Sequence, residues 1–216
     1  MGRIMRLIAE DLSGERGGYL VFTGIDFSVG EGEALVITGP NGSGKSTLLR
    51  AVAGLLPVAG GSVRLEEGGE TFPTVASGAH YLGHINAMKP TLTVTENLVF
   101  WRDFCGDADL GVEAALETVG LGAIAHLPYG YLSTGQRRRA AIARLLVSRR
   151  PLWLLDEPTA GLDAESARQL SKSMADHLAG GGMILAATHL PLGIDGAAEL
   201  RMGEVGADLP SPHGEG

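Results

Sequence analysis

The stretch GPNGSGKSTLL, from Gly39 to Leu49, puts three glycines, a lysine and several hydroxyl side chains ahead of an apolar run. Glycines allow the backbone to curl so that successive N–H groups point at one centre. The apolar run Ala34–Thr38 before the stretch predicts a strand, and the spacing of Lys45–Leu55 predicts a helix. Because a helix start adds its positive end to such a loop, this order of elements predicts a phosphate-binding loop.

The residue types in this loop fit a nucleoside triphosphate. Lys45 supplies a full positive charge for the β- and γ-phosphates, and the hydroxyl of Ser46 is placed to hold Mg²⁺. The alternative is a glycine turn before a helix, but one of only three lysines in the chain stands at this position. The predicted ATP contacts are Gly39, Pro40, Asn41, Gly42, Ser43, Gly44, Lys45, Ser46 and Thr47.

A second group of candidate residues ends the apolar run Leu152–Asp156, which predicts a buried strand. Asp156 can hold the Mg²⁺ shell, and Glu157 can orient or deprotonate the attacking water. Alone, this pair also fits an acidic helix cap before Pro158. The phosphate loop upstream favours catalysis, with Asp156 as a metal ligand and Glu157 as a catalytic residue.

Further apolar and alternating runs predict the remaining elements. The predicted strands are Leu20–Val29, Ser62–Leu65, His80–Gly83 and Met183–Thr188, and the predicted helices are Val94–Phe104, Gly111–Val119, Gln136–Arg149 and Ala164–Ala179. Strands that alternate with helices indicate an α/β fold with a mostly parallel sheet covered on both faces. The first ~35 residues alternate and contain glycine turns, which predicts antiparallel β-structure there.

Composition limits the function classes. The 216 residues carry a net charge of −8, from 17 basic and 25 acidic residues, which disfavours a nucleic-acid partner. The single cysteine excludes a disulfide within the chain and fits a reducing compartment. No apolar run approaches the ~18 to 20 residues that cross a bilayer, so we expect any membrane role to come through a partner.

Basic residues are nevertheless concentrated around the predicted helix Gln136–Arg149. We interpret them as a solvated helix face rather than a nucleic-acid contact, with the later ones favourable near the helix C-terminus. They are Arg137, Arg138, Arg139, Arg144, Arg149 and Arg150.

The stretch LSTGQ, from Leu132 to Gln136, offers a second anion site at the start of a helix, because Ser133 can cap it and exposed N–H groups follow. One chain does not need two sites for one γ-phosphate. Two chains facing head to tail need both sites, since each chain can close the phosphate loop of the other. This arrangement resembles the ABC-type ATPases, whose signature is LSGGQ; Thr134 replaces the first glycine of that pair. The resemblance covers nearly the whole chain.

The resemblance implies a P-loop NTPase fold of ABC type. Its parts are a mostly parallel core sheet flanked by helices, an N-terminal antiparallel β-subdomain and a helical subdomain that carries the signature. We expect one ABC ATPase domain over residues 1–206, with the helical subdomain at roughly 85–150, and a flexible tail at 207–216. The resemblance also implies ATP and Mg²⁺ as cofactors and a homodimer of ATPase subunits bound to separate transmembrane subunits. The signature residues implied to contact ATP across the dimer are Ser133, Thr134, Gly135 and Gln136.

Three more positions match motifs of the family. Asp163, in TAGLD, resembles the D-loop and is implied to cross the dimer interface. His189, in ATH, resembles the switch histidine that reaches the γ-phosphate, and a structural histidine is the alternative. His84 holds the place where the family usually carries Gln; the alternative is a loop histidine that faces solvent.

A further position departs from the family pattern, at the expected contact with the adenine base. The family stacks adenine on an aromatic residue ahead of the phosphate loop, and Arg16 stands at the expected place. A guanidinium can stack on a base plane, and Tyr19 is a nearby alternative.

Three local features resemble one branch, the ATP-binding subunit of the haem exporter used in cytochrome c maturation. They are YLGHINAMKPTLTVTENLVFW, the histidine at the Gln place, and PLWLLDEPTAGLD. This resemblance implies a peripheral location at the cytoplasmic face of the bacterial inner membrane. It also implies an indirect partnership with a periplasmic haem chaperone. It also implies that Leu92–Phe104, with Trp101, meets a helix of the membrane subunit, while a plain core helix is the alternative.

Two other functions stay open on the sequence. One is an ABC exporter ATPase for another substrate, such as a drug or lipid. The other is a soluble ABC-type factor acting on ribosomes or DNA. Such factors usually have two cassettes in one chain or a long coiled-coil insertion, and the sequence shows neither.

Overall fold

A computed structural model describes residues 4–203 of the chain, and these residues form eight strands and six α-helices. The strands are β1 (Arg6–Arg16), β2 (Tyr19–Gly30), β3 (Ala34–Thr38), β4 (Val58–Glu66), β5 (Ala79–Leu82), β6 (Leu152–Asp156), β7 (Met183–Ala187) and β8 (Ala198–Arg201). The helices are α1 (Lys45–Val52), α2 (Val75–Gly78), α3 (Val94–Cys105), α4 (Val112–Thr118), α5 (Thr134–Leu146) and α6 (Ala164–Ala179). The predicted tail at 207–216 lies outside the described residues.

Five strands form a parallel central sheet in the order β5-β6-β7-β3-β8. Strands β3, β6 and β7 lie in its interior, and each has five residues that are apolar except for Thr38 at the end of β3 and Asp156 at the end of β6. Because all five strands run the same way, the loops that follow β3, β6 and β7 meet at one edge of the sheet. This edge carries the predicted phosphate loop and the predicted acid pair.

The central sheet separates two hydrophobic cores. Along β6, Leu152 and Leu154 pack into the core around α1, whereas Trp153 and Leu155 pack into the core around α5. All five side chains of β6 are buried, as are all five of β7. Burial on both faces explains why these strands are continuous apolar runs rather than alternating ones.

A second, antiparallel sheet has the order β2-β1-β4. The turn between β1 and β2 is formed by Gly17 and Gly18, with φ of 61° and 84°. Left-handed backbone at both positions is typical of a two-residue hairpin turn and favours glycine. The predicted fold class, a parallel core sheet flanked by helices with antiparallel β-structure near the N-terminus, is confirmed.

Helices α3, α4 and α5 pack together on one side of the central sheet. Thr93 begins α3 with a capping box in which Glu96 takes part. Asn97 is buried within α3 and joins the helix to the preceding loop, because its amide donates to the carbonyl oxygens of Lys89 and Thr93 at 3.0 and 2.9 Å. The subdomain boundary at roughly 85–150 stays a prediction.

Three differences from the predicted elements have local causes. Helix α1 ends at Val52 rather than Leu55, because Gly54 turns the chain with φ of 71°. Helix α5 begins at Thr134 rather than Gln136, since Ser133 caps it, and it ends at Leu146 rather than Arg149. Strand β8 was not predicted; it is a four-residue, mostly exposed edge strand without a distinctive pattern.

One buried and one half-buried histidine, His80 and His177, make the fold sensitive to acid. His80 is 3% exposed, and its Nε2 lies 2.8 Å from the carbonyl oxygen of Ser148. Burial lowers the pKa of His80 from 6.5 to about 3, and burial lowers the pKa of His177 from 6.5 to about 4. Below pH 6.5 the unfolded chain therefore holds more protons than the folded chain, and stability falls as the pH falls.

We expect that the free energy of unfolding decreases between pH 7 and pH 5, and that His80 contributes about 2 kcal/mol of this decrease. His80→Gln keeps an N–H donor for Ser148 but does not titrate, so it should make the pH dependence shallower by that amount. Urea unfolding at both pH values measures the effect, and His126→Gln, at an exposed histidine, is the control. An unchanged slope in His80→Gln would contradict the assignment.

Candidate active site

The loop between β3 and α1 is shaped by close contacts at two glycines. A Cβ on Gly39, at φ 138°, would lie 2.3 Å from the carbonyl oxygen of Met202. A Cβ on Gly44, at φ 93°, would lie 2.7 Å from Cγ1 of Val21. The loop is therefore held between β2 and the residues after β8, and both positions require glycine. Gly42, at φ 87°, faces open space instead.

Lys45 and Ser43 point into this loop. Lys45 is 8% exposed, and its Nζ donates to the carbonyl oxygens of Gly39 and Pro40 at 2.7 and 2.8 Å. The Oγ of Ser43 is buried and has no hydrogen-bond partner among the described residues. A buried cation and an unpaired hydroxyl beneath a glycine loop fit a phosphate group. The individual ATP contacts predicted for residues 39–47 stay predictions.

Ser46 and Asp156 meet although they are far apart in the sequence. The Oγ of Ser46 donates to Oδ1 of Asp156 at 2.9 Å. The hydroxyl of Tyr81 donates to Oδ2 of the same carboxylate at 3.3 Å, and Nε of Arg50 donates to the Tyr81 oxygen at 3.3 Å. Burial raises the pKa of Tyr81, so it remains a neutral donor near pH 7. Donors at both oxygens fix the direction of the Asp156 carboxylate.

Glu157 follows Asp156 in a strained backbone conformation, at φ 46°. A left-handed conformation costs a residue other than glycine about 1–3 kcal/mol, and it persists only where the surroundings hold it. The N–H of Glu157 donates to the carbonyl oxygen of Ala187 at 2.8 Å. Its Oε1 lies 3.0 Å from Nδ1 of His189, and its Oε2 accepts from Oγ1 of Thr188 at 3.3 Å. This geometry favours a role in the site over the alternative, in which the acid pair caps a helix.

The arginines of α5 do not form the predicted solvated face. Arg138 and Arg144 are only 7% and 6% exposed, so the prediction is wrong for these two, whereas Arg149 is exposed. Arg138 donates to four main-chain carbonyl groups, and Arg144 donates to the carbonyl oxygen of Tyr81. Carbonyl oxygens replace water around the guanidinium of Arg138. Arg144 has one carbonyl partner and lies over the ring of Trp101, and its Nε has no hydrogen-bond partner among the described residues.

The signature residues open α5 within their own chain. Ser133 Oγ accepts from the N–H of Gln136 at 3.3 Å, and Oε1 of Gln136 accepts from the N–H of Ser133 at 2.9 Å, which is a capping box. A Cβ on Gly135 would lie 3.4 Å from the carbonyl oxygen of Gly161, so the signature lies beside the TAGLD stretch. Thr134 is exposed. The contact of these residues with a second chain stays a prediction.

Asp163 caps the next helix. It precedes α6 and accepts from the N–H of Ser166 at 2.8 Å, and this hydrogen bond holds the pKa of Asp163 below its ordinary value. Its carboxylate is exposed beside the signature segment. Its predicted place in a dimer interface is compatible with this exposure and stays a prediction.

The residues predicted from departures in the family pattern are all on the surface. His84 is exposed, and the neighbouring Asn86 donates to the hydroxyl of Tyr129 at 3.0 Å. Arg16 and Tyr19 are both exposed and are paired directly across the β1–β2 turn. The two alternatives for base stacking are therefore neighbours at one hairpin tip, and the choice between them stays open.

Two residues of the site, Tyr81 and Thr188, escaped the sequence analysis, and a third, Arg138, was wrongly predicted to face solvent. Tyr81 lies in HYLG, which predicts a strand, and the one hint in the sequence is that a tyrosine hydroxyl on a buried strand needs a partner. Three consecutive arginines on one helix span about 200° of its circumference, which is a signal that one of them faces inward. Thr188 carried no signal of its own.

The comparisons with known proteins agree with this geometry. Residues 22–160, more than half of the chain, match the ABC transporter family. The chain is 70% identical over 202 residues to the cytochrome c biogenesis ATP-binding export protein CcmA of Mesorhizobium japonicum, covering 94% of this chain and 100% of that protein. It is 65% identical to the protein of the same name from Chelativorans sp., covering 92% of this chain and 98% of that one.

The chain belongs to the ABC transporter family. Its relatives at this identity place it in the group of cytochrome c biogenesis ATP-binding export proteins, so the resemblance predicted from the motifs is confirmed. This ABC ATPase also has the fold of a bacterial ABC transporter cassette solved as a dimer, with a TM-score of 0.78 and 21% identity over 91% of this chain and 94% of that one. As an ABC ATPase, the chain binds and hydrolyses ATP.

Within residues 4–203, every helix is too short or too polar to cross a bilayer.

We expect Lys45→Ala to weaken ATP binding by about 10- to 100-fold, because it removes a charge-assisted contact with the phosphates. Titration with a fluorescent ATP analogue measures the dissociation constant. Lys172→Ala is the matched control, since it removes the same charge from an exposed position on α6. Equal affinity in Lys45→Ala and the wild-type protein would show that the loop does not bind phosphate in this way.

Proposed function

We propose that this chain is the ATP-binding and ATP-hydrolysing subunit of an ABC exporter that serves cytochrome c biogenesis and powers the delivery of haem. The observation that carries the proposal is 70% identity to a cytochrome c biogenesis export protein along that protein's full length. The relative's name describes that protein, and the high identity supports the same role here. The proposed link with a periplasmic haem chaperone is indirect, through the exporter.

Glu157 is the proposed catalytic base or water-orienting group. Its carboxylate lies at the carboxyl edge of the sheet and accepts hydrogen bonds from Thr188 and His189, which limit its directions. Because Nδ1 of His189 faces Glu157, Nε2 is the ring nitrogen left for the γ-phosphate, and it donates to a phosphate oxygen when both ring nitrogens carry a proton. His189 is mostly exposed, so it is accessible to a nucleotide that enters from solvent.

Mg²⁺ is the proposed second cofactor. Ser46 and Asp156 provide one hydroxyl and one carboxylate that lie in contact at the mouth of the phosphate loop. Mg²⁺ in nucleotide sites takes one or two protein oxygens together with phosphate oxygens and water, so this donor set fits the ion. When bound, the ion neutralises charge that develops on the phosphates. Tyr81 contributes by holding the Asp156 carboxylate in one direction.

A homodimer is proposed because the signature residues lie at the exposed start of a helix. The start of α5 is exposed at Ser133 and Thr134. The first N–H groups of a helix have no partner within the helix, so this end can bind an anion. A second chain, placed head to tail, brings these groups to the phosphate loop. Asp163, exposed beside the signature, lies in the same proposed interface.

An aromatic surface on α3 is the proposed contact with a separate transmembrane subunit. Phe100, Trp101 and Phe104 form this aromatic surface, with ring centroids 5.6 to 5.8 Å apart. Phe100 is 42% exposed and Phe104 is 71% exposed, whereas Trp101 is anchored by donating Nε1–H to the carbonyl oxygen of Ala87 at 2.9 Å. Exposed, clustered aromatic rings are typical of interfaces. This contact supports a peripheral location at the cytoplasmic face of the bacterial inner membrane.

We expect Glu157→Gln to slow ATP hydrolysis by about 10²- to 10⁴-fold while ATP binding is retained, because the amide does not accept a proton. Phosphate release measures the rate, and Glu165→Gln, at an exposed acid on α6, is the control. In a strain without the gene, the wild-type chain should restore c-type cytochromes and Glu157→Gln should not. A wild-type rate of ATP hydrolysis in Glu157→Gln would show that Glu157 is not the catalytic base or water-orienting group. Normal c-type cytochromes in the strain without the gene would refute the transport assignment.

We expect Phe104→Asp to weaken binding to the membrane subunit by about 30-fold, since it removes an exposed aromatic side chain and adds a charge to an apolar contact. A tagged chain is purified from detergent-solubilised membranes, and its companions are identified and quantified by mass spectrometry. Leu55→Asp, at another exposed apolar residue, is the control. Recovery of the same membrane companions in equal amount from both variants would exclude this surface.

A further inference from the structure

The acid pair rests on a buried guanidinium. Arg138 lies on α5 and donates through Nη2 to the carbonyl oxygens of Asp156 and Glu157, at 3.1 and 2.7 Å. Its Nε donates to the carbonyl oxygen of Pro158 at 3.2 Å, and its Nη1 donates to that of Gly83 at 2.8 Å. One side chain thus holds three consecutive peptide groups at the end of β6.

Glu157 needs such support because its backbone is strained. With φ of 46°, it lies in a region that residues other than glycine rarely occupy. Its N–H is held by the carbonyl oxygen of Ala187, and its own carbonyl oxygen is held by Arg138. Both polar groups of the strained residue are therefore fixed, and so is the direction in which its side chain leaves the main chain.

We infer that Arg138 is a positioning residue for ATP hydrolysis, which holds the peptide of Glu157 so that its carboxylate faces the γ-phosphate. The inference rests on the proposed role of Glu157.

The charge of Arg138 supports the same role. Burial lowers the pKa of Arg138 from its ordinary value, and the negative charges of Asp156 and Glu157 act in the opposite direction. Within residues 4–203, the four hydrogen bonds of this guanidinium all go to main-chain carbonyl oxygens, and none goes to a carboxylate. The carboxylate of Glu157 therefore stays free for Thr188 and His189 while the cation lies behind it.

Arg138 also joins three parts of the site. It lies five residues after Ser133, on the helix that the signature opens. Through Gly83 it holds the residue before His84, and through Pro158 it holds the start of the segment that leads to Asp163. A displacement of the signature helix is therefore transmitted directly to the peptide of Glu157.

The test compares Arg138→Met with Arg139→Met in the full chain, together with any membrane companions that it binds. Arg139 is the matched control, because it is the next residue on α5 and its guanidinium also donates to two main-chain carbonyl oxygens, those of Val119 and Gly120. We expect Arg138→Met to lower kcat by about 10- to 100-fold with KM for ATP changed by less than about threefold. Arg139→Met should change kcat by less than about twofold.

Two further variants separate positioning from a loss of stability. Arg138→Gln keeps two N–H donors and should recover part of kcat; it also replaces Arg138→Met if that variant fails to fold. In the background Glu157→Gln, Arg138→Met should cause less than about a twofold further loss in single-turnover hydrolysis, because both changes act on one group.

A wild-type kcat in folded Arg138→Met would overturn the inference. It would also be overturned if the loss of hydrolysis rate in the double variant equalled the product of the losses in Arg138→Met and Glu157→Gln. Equal losses in Arg138→Met and Arg139→Met at equal melting temperature would also overturn it. Full activity of Glu157→Gln alone would instead refute the proposed role of Glu157, so the two failures are distinguishable.

Discussion

The parallel pairing of β6, β7 and β3 is the constraint on which the site depends. Because these strands lie side by side and run in one direction, the residues that follow each of them meet at one edge. Ser46 thereby reaches Asp156 across 110 residues of sequence, at 2.9 Å, and Glu157 reaches His189. A change that shifted one strand by one residue would reverse its faces and separate these pairs.

Main-chain carbonyl groups accept hydrogen bonds from the buried cations around this edge. Lys45, Arg138 and Arg144 are buried cations, and the carbonyl oxygens that surround them are drawn from the phosphate loop, the end of β6 and the end of β5. A carbonyl oxygen satisfies a guanidinium or ammonium donor without bringing a competing negative charge. The carboxylates of Asp156 and Glu157 therefore remain available for the roles proposed for them in ATP hydrolysis.

The same contacts connect the catalytic edge with the surface proposed for the transmembrane subunit. Arg144 donates to the carbonyl oxygen of Tyr81 and lies 4.8 Å from the ring centroid of Trp101. Trp101 holds the loop after His84 through Ala87, and Arg138 holds the residue before His84. A membrane subunit that pressed on α3 would thus act on groups that directly contact the end of β6.

Three local features could be predicted from the sequence, because each depends on neighbours within about ten residues. They are the order of strand, glycine loop and helix, the buried strand that ends in the acid pair, and the signature. From them the chain's family, its ATPase activity and the residues Lys45, Asp156 and Glu157 could be predicted. The sequence analysis misjudged Arg138 and Arg144 and missed Tyr81, because the partners of these side chains come from distant strands and loops. Only the packed structure decided that Arg138 lies beneath the strained peptide of Glu157, since burial and hydrogen-bond partners are properties of the assembled sheet and helices rather than of any one segment.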